Sequence, residues 1–235
     1  MSLTPPLPAR PALFLDVDGT LLDIAPTPSS VVVPPELPDV LRRLRNTLGG
    51  ALAVVTGRPV DQVDRLFGDA PYAVAGEHGG AIRHAPGAPV EHAAVANLPA
   101  GWLERAEHIA AGRPGVLLER KRRGFVLHFR QAPDEGPALR QAMLDILGGF
   151  ENRFALLSGS MAWEMRPLGA DKGTAVAGLM ARPPFAGRVP VYIGDDVTDE
   201  DGMRAARAAG GIGLRVAEAF GDPAGVRAWL ARAAA

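Results

Sequence analysis

The chain contains no cysteine, which removes disulfide scaffolds, thiolate metal sites and cysteine nucleophiles at once. It also lacks a charge imbalance. With a formal net charge of −1, no excess of one sign draws the molecule to nucleic acid or anionic lipid. Long apolar runs are missing too. The first, Ala12–Leu15, follows a proline-rich stretch from Met1 to Pro11 and is too short for a signal-peptide core or a membrane span. An extended tail at Met1–Pro11, a cytoplasmic location, no nucleic-acid partner and no membrane partner are therefore expected. No internal repeat is present.

What is present is an ordinary globular composition, 235 residues with 47% hydrophobic and 22% charged. That suffices for a core domain carrying a smaller second one. Glycine and proline mostly punctuate apolar segments. Ala12–Leu15, Ala51–Val55, Tyr72–Ala75, Val189–Ile193 and Ile212–Val216 read as short apolar strands. Strands without polar alternation suit a parallel sheet covered on both faces. Between and after them, Pro38–Leu48, Val60–Leu66, Gly173–Met180 and Gly225–Ala233 read as helices.

The middle of the chain differs. Phe125–Arg130 and Met161–Arg166 alternate strictly, and helices are expected around Trp102–Ile109 and Pro137–Leu147. One-sided strands imply an antiparallel sheet with one face on helices and the other open. The expected fold is therefore α/β. A Rossmann-like parallel-sheet core spans residues 1–97 plus 169–235, and an α+β domain, residues 98–168, is inserted into it.

Polar clusters end three of the core strands: Asp16 with Asp18, Thr56, and Asp195 with Asp196. Open parallel sheets bind ligands beyond the carboxyl ends of their strands, so these clusters should converge. Gathering carboxylates in one place is unfavourable without cations. A hard divalent ion with oxygen ligands, most simply Mg²⁺, is the expected cofactor, with Lys172 a second cation. An EF-hand is excluded for Asp16-Val-Asp18, because Leu21 and Thr27 stand where glycine and glutamate are required. A P-loop is excluded because Asp171, not glycine, precedes Lys172.

Asp16-Val-Asp18-Gly19-Thr20 after an apolar strand resembles the first motif of the haloacid-dehalogenase-like phosphohydrolases. The resemblance implies Asp16 as nucleophile and Asp18 as general acid and then base. That pairing splits phosphate-ester hydrolysis into two easier steps. Gly19 permits a turn that aims backbone N–H groups at a phosphoryl group. Thr56-Gly57-Arg58 and Lys172 fit the second and third motifs. Gly194-Asp195-Asp196-Val-Thr-Asp199-Glu200 fits the fourth, which implies Asp195 as a metal ligand beside the Asp16 carboxylate and the Asp18 carbonyl. Asp199 is expected to position either Lys172 or a metal-bound water.

Finer detail resembles one family. Glu119-Arg-Lys121, His128-Phe-Arg130, Trp163-Glu164-Met-Arg-Pro167 and Gly76-Glu-His78-Gly-Gly80 are similar to segments of trehalose-6-phosphate phosphatases, and the likeness runs from Ala12 to about Val216. It implies hydrolysis of trehalose 6-phosphate, the last step of trehalose biosynthesis, with Glu119, Lys121 and Glu164 on the distal glucose. Arg58, His78, His128 and Arg130 complete the expected substrate contacts. The insert is expected to cap the site and select the leaving group, with a small-molecule sugar phosphate as partner and a monomer as assembly. A phosphatase of another sugar phosphate, a glycosylglycerate or sucrose phosphate, is the alternative. A phosphomutase using Arg120, Arg122, Arg123 and Arg130 is a further one.

Overall fold

The computed structural model describes residues 6–234; the first five residues of the expected tail lie outside it. The chain opens with β1 (Pro11–Leu15), α1 (Leu37–Thr47), β2 (Leu52–Val55), α2 (Val60–Phe67) and β3 (Ala73–Gly76), then two short strands, β4 (Ala81–Arg83) and β5 (Val90–His92). Next come α3 (Trp102–Ala111), β6 (Leu117–Arg120), β7 (Phe125–His128), α4 (Gly136–Leu147), β8 (Phe154–Gly159) and β9 (Ala162–Pro167). The chain closes with α5 (Lys172–Met180), β10 (Val189–Gly194), α6 (Asp199–Ala208), β11 (Ile212–Arg215), α7 (Val216–Ala219) and α8 (Pro223–Ala233). The described residues up to Ala93 and from Ala170 onward form one compact unit, and Ala94–Gly169 form another.

The first unit is built on a sheet of order β11-β10-β1-β2-β3-β4-β5. The strands from β11 to β3 pair in parallel, while β4 and β5 extend the edge antiparallel. Alternate residues of each central strand enter different cores. Leu13, Leu15, Leu52, Val54, Val74, Val191 and Ile193 join Leu41, Val63, Phe67 and Leu230 of α1, α2 and α8. Ala12, Phe14, Ala53, Val55, Ala73 and Tyr192 join Val176, Leu179 and Met203 of α5 and α6. Burial on both faces is why these strands read as unbroken apolar runs. Each fully buried Leu, Val or Phe contributes about 1.5–3 kcal/mol, so the sheet centre holds β1, β2 and β10 rigidly.

The second unit has an antiparallel sheet of order β6-β7-β9-β8. Phe125, Leu127 and Met165 pack under Leu139 and Met143 of α4 and Trp102 and Ala106 of α3. The opposite face carries Glu119, Val126 and Glu164 in one cross-strand row, because Glu119 pairs with Val126 and Val126 with Glu164. Arg120 lies on the helix side, ion-paired with Glu107 of α3 at 2.6 Å.

Candidate active site

β1 lies between β10 and β2, so Asp16, Asp195 and Thr56 follow three neighbouring strand ends. Backbone bonds fix their depth: the Asp16 amide donates to Ile193 O at 3.0 Å and the Thr56 amide to Ala75 O at 2.9 Å. α5 delivers Lys172 as its first residue, and Asp171 caps that helix by accepting from the Thr174 amide at 2.7 Å. The cap matters for Lys172. A cation at a helix N-terminus opposes the helix dipole, and here the anions that hold it are identifiable.

Lys172 Nζ donates to Asp16 Oδ1 at 2.8 Å and to Asp199 Oδ1 at 2.7 Å. Lys172 is 3% exposed, Asp16 4% and Asp199 0%, so water screens this trio very little. Asp199 Oδ1 also accepts from the Tyr192 hydroxyl at 2.6 Å. Its Oδ2 accepts the amides of Asp195 at 3.1 Å and Asp196 at 3.0 Å. A carboxylate offers about four acceptor sites, and Asp199 uses all of them on protein donors. It positions Lys172 and the Asp195–Asp196 turn, and has none left for a metal ion. Asp196 turns instead to the Val197 amide at 2.6 Å.

Around this trio the expected residues take distinct places. Arg58 grips Asp18 with both ends of its fork, Nε to Oδ2 at 2.7 Å and Nη2 to Oδ1 at 2.6 Å. Thr56 Oγ1 accepts from the Arg58 amide at 3.2 Å, which leaves the hydroxyl hydrogen to donate to a ligand. Thr20 is buried and its hydroxyl reaches Asp195 Oδ1 at 3.4 Å. The Glu77–Gly79 turn docks on the Thr56–Arg58 segment through His78 N to Thr56 O at 2.9 Å and Glu77 N to Arg58 O at 3.0 Å. His78 is buried there.

Burial, reinforced by the Asp199 carboxylate, pushes Asp16 well above the usual carboxylate range despite Lys172. Burial and the charges of Asp199 and Asp196 push Asp195 up to about 7. With Arg58 spent on Asp18, Lys172 is the cation that faces Asp16 and Asp199, and the carboxylates outnumber it. Oxygens of Asp16, Asp195 and Asp199 lie within 4.8 Å of one another. An all-oxygen donor set short of positive charge fits a hard divalent ion, and the saturation of Asp199 leaves Asp16 and Asp195 as the side chains to hold it.

Close approach makes two glycines necessary. Gly19 has φ +81°, and a Cβ there would stand 2.0 Å from Asp195 Oδ2. At Gly194 a Cβ would stand 2.2 Å from Asp199 Cγ. Gly194→Ala should accordingly lower folding stability by on the order of 3 kcal/mol and displace Asp199. Denaturant midpoints check the first effect, and an unchanged midpoint would contradict the packing described.

On the face of the second sheet away from α3 and α4, Glu119 Oε1 meets Lys121 Nζ at 2.6 Å and Oε2 meets His128 Nε2 at 2.9 Å. Burial raises the Glu119 carboxyl, but the His128 hydrogen bond and the Lys121 charge outweigh it and bring it to about 2. A carboxyl depressed in the fold adds stability above its unfolded value near 4.5, and loses it as pH falls through the folded one. At most about 3 kcal/mol should therefore vanish between about pH 5 and pH 2. The stability gap between wild type and Glu119→Gln should close over that range. A gap independent of pH would contradict the assignment. Arg130 lies beyond β7 and donates to Ser160 Oγ at 2.9 Å, and Arg123 Nη1 donates to Val95 O at 2.6 Å.

The profile of the family described as Trehalose-phosphatase matches residues 14–221. The chain belongs to that family. A "Probable trehalose-phosphate phosphatase" of Sinorhizobium fredii (strain NBRC 101917 / NGR234) is 45% identical over 207 residues, 87% of this chain and 77% of the relative. The "Trehalose-6-phosphate phosphatase" of Escherichia coli (strain K12) is 36% identical over 217 residues, 91% of this chain and 80% of that protein. The C-terminal domain of the Candida albicans trehalose-6-phosphate phosphatase superposes with a TM-score of 0.79, covering 96% of this chain and 92% of that one. At 20% identity that last likeness concerns the fold alone. This family member thus has every motif segment within the matched residues. Tyr192 was not foreseen as part of the site; its only signal in the sequence is a phenol inside an otherwise aliphatic strand.

Proposed function

We propose that the chain is a Mg²⁺-dependent phosphatase that hydrolyses trehalose 6-phosphate to trehalose and phosphate through a phospho-aspartate on Asp16. The observation that carries this is Asp16, buried at a strand tip and held at one oxygen by Lys172, with Asp18 two residues further on. Lys172 occupies Oδ1, so Oδ2 attacks phosphorus as the bond to the sugar oxygen breaks. Asp18, released from Arg58, protonates that departing oxygen. It then takes a proton from the water that splits phospho-Asp16 and restores the carboxylate. Thr56 and Lys172 hold phosphoryl oxygens, while the Gly19 and Thr20 amides close the turn beneath them on Leu22 O at 2.8 Å and Val17 O at 3.3 Å. The Asp16 carboxylate, the Asp18 carbonyl and Asp195 would hold Mg²⁺, which supplies positive charge against the phosphoryl group.

Arg58 and His78 face the phosphate side of the substrate in this reading. On the second unit, Glu119, Lys121, His128, Arg130 and Glu164 recognise the distal glucose by hydrogen bonds to its hydroxyls. The names of the relatives support this substrate. A distal-phosphate cradle of arginines, as a mutase would need, is disfavoured because Arg120, Arg123 and Arg130 are engaged with Glu107, Val95 and Ser160. We place the reaction in the cytoplasm and in a monomer. Among the described residues no helix is long and apolar enough to cross a membrane.

A phosphate-release panel with Mg²⁺ over trehalose 6-phosphate, sucrose 6-phosphate, glucosylglycerate phosphate and p-nitrophenyl phosphate tests the proposal. Trehalose 6-phosphate should give the highest kcat/KM, and chelation should stop turnover reversibly. Glu119→Ala and Glu164→Ala should each raise KM for the disaccharide by about tenfold or more while sparing the aryl phosphate. Equal rates on all sugars would defeat the substrate assignment, and chelator-resistant turnover would defeat the metal.

A further inference from the structure

Tyr192 is a buried titratable group that the reaction outlined above leaves without a task. It sits inside β10 with its ring among Val176, Leu179, Met203 and Ala206 of α5 and α6. A phenylalanine would fill the same space, so packing alone does not account for the hydroxyl. Buried hydroxyls require a partner, and this one is Asp199 Oδ1 at 2.6 Å, the oxygen that also accepts Lys172. The neighbouring helix is shaped for the ring. A Cβ at Gly202 of α6 would stand 2.3 Å from Tyr192 Cε2, so α6 carries glycine, an unfavourable residue in a helix interior, where the ring passes.

The two oxygens of Asp199 do different work. Oδ2 holds the Asp195 and Asp196 amides, whereas Oδ1 is shared between the ammonium and the phenol. We infer that Tyr192 is a positioning residue for phosphoryl transfer, acting through Asp199 Oδ1 to set where Lys172 holds Asp16. Without the phenol, Oδ1 has the ammonium as its sole donor and draws it closer. Lys172 then moves off Asp16 Oδ1, now 2.8 Å away. The loss falls on the chemical step, because the turn carrying Asp195 hangs on the other oxygen. This inference rests on the reading of Asp16 as nucleophile.

The test is a double-mutant cycle in the full chain with Tyr192→Phe and Asp199→Asn, measured on trehalose 6-phosphate and p-nitrophenyl phosphate. Tyr192→Phe should lower kcat roughly tenfold, as expected when one hydrogen bond to a charged group is removed. KM, and the Mg²⁺ dissociation constant measured by calorimetry, should stay within about twofold. In the Asp199→Asn background the same change should cost little further kcat, since the effect travels through Asp199. An unchanged kcat, a full multiplicative loss in the double variant, or kcat, KM and Mg²⁺ affinity all weakening together would each overturn the inference. The last of these would mark general loosening. A wild type that releases no phosphate defeats the nucleophile assignment and this inference with it. An active wild type beside an unaffected Tyr192→Phe defeats the inference alone.

Discussion

Asp16→Asn should abolish phosphate release while leaving the metal-free fold as stable as wild type, or more so. The substitution is isosteric and keeps an oxygen for Lys172 Nζ, now 2.8 Å from Oδ1. It removes the nucleophile, so kcat should fall by about 10⁴-fold or more. The stability expectation follows from the direction in which Asp16 is perturbed. Burial and the Asp199 and Asp195 charges disfavour its ionised form in the fold, so at neutral pH that charge is a liability, and a neutral amide relieves it. Thermal unfolding with chelator present, beside a phosphate assay with Mg²⁺, reads both. Residual turnover within about tenfold of wild type would remove Asp16 from the nucleophile's role. A lowered midpoint would mean that the Lys172 ion pair outweighs the crowding.

Lys172→Met should do the opposite to stability while also ending turnover. Methionine matches the stem in length but leaves Asp16 and Asp199 buried without their cation. Breaking a buried pair from one side costs about 3–5 kcal/mol, because the stranded charge is the expense. In a chain of this size that is a fall of roughly 10 °C or more in the unfolding midpoint. Mg²⁺ should restore part of the loss by supplying charge beside Asp16. Adding Asp199→Asn should restore part of it without metal, by removing one stranded carboxylate. A Lys172→Met protein as stable as wild type in chelator would show that the buried trio contributes nothing to the fold.

The two substitutions act on one pair of oxygens and move stability in opposite directions, which reflects how the site is assembled. Asp16 and Asp195 follow strand tips, Asp199 opens α6 and Lys172 opens the capped α5, all on elements whose cores are already well packed. The sheet can therefore carry a charge arrangement that is unfavourable by itself. A divalent ion would relieve it, and that relief is the physical argument for a metal in a chain without cysteine.

Much of the fold was legible in the residues, for a reason visible in the structure. β1, β2, β3 and β10 are buried on both faces, so burial alone dictates unbroken apolar runs. α1, α2 and α5 lie within a residue or so of where periodicity puts them. β4 and β5 were not read as strands. Each has three residues, β5 is exposed throughout, and their extension comes from edge pairing, β4 to β3 and β5 to β4. β8 was missed because Phe154-Ala-Leu-Leu-Ser-Gly159 alternates in neither period. β9 starts at Ala162, one residue later than the alternation suggests, since Met161 has φ +57° and belongs to the turn.

Sequence by itself determined which chemical groups stand at which strand ends: Asp16 after β1, Thr56 after β2, Asp195 after β10, and Lys172 at the start of a helix. These are local facts, set by where apolar runs stop and where a cap residue stands. Only the tertiary structure decided the pairings. It spends Asp199 on Lys172, Tyr192 and two amides, turns Asp196 to its own loop, and clamps Asp18 with Arg58. It also brings Lys172 to Asp16 across 156 positions of chain. Such distances depend on sheet order and helix packing, which no local pattern encodes.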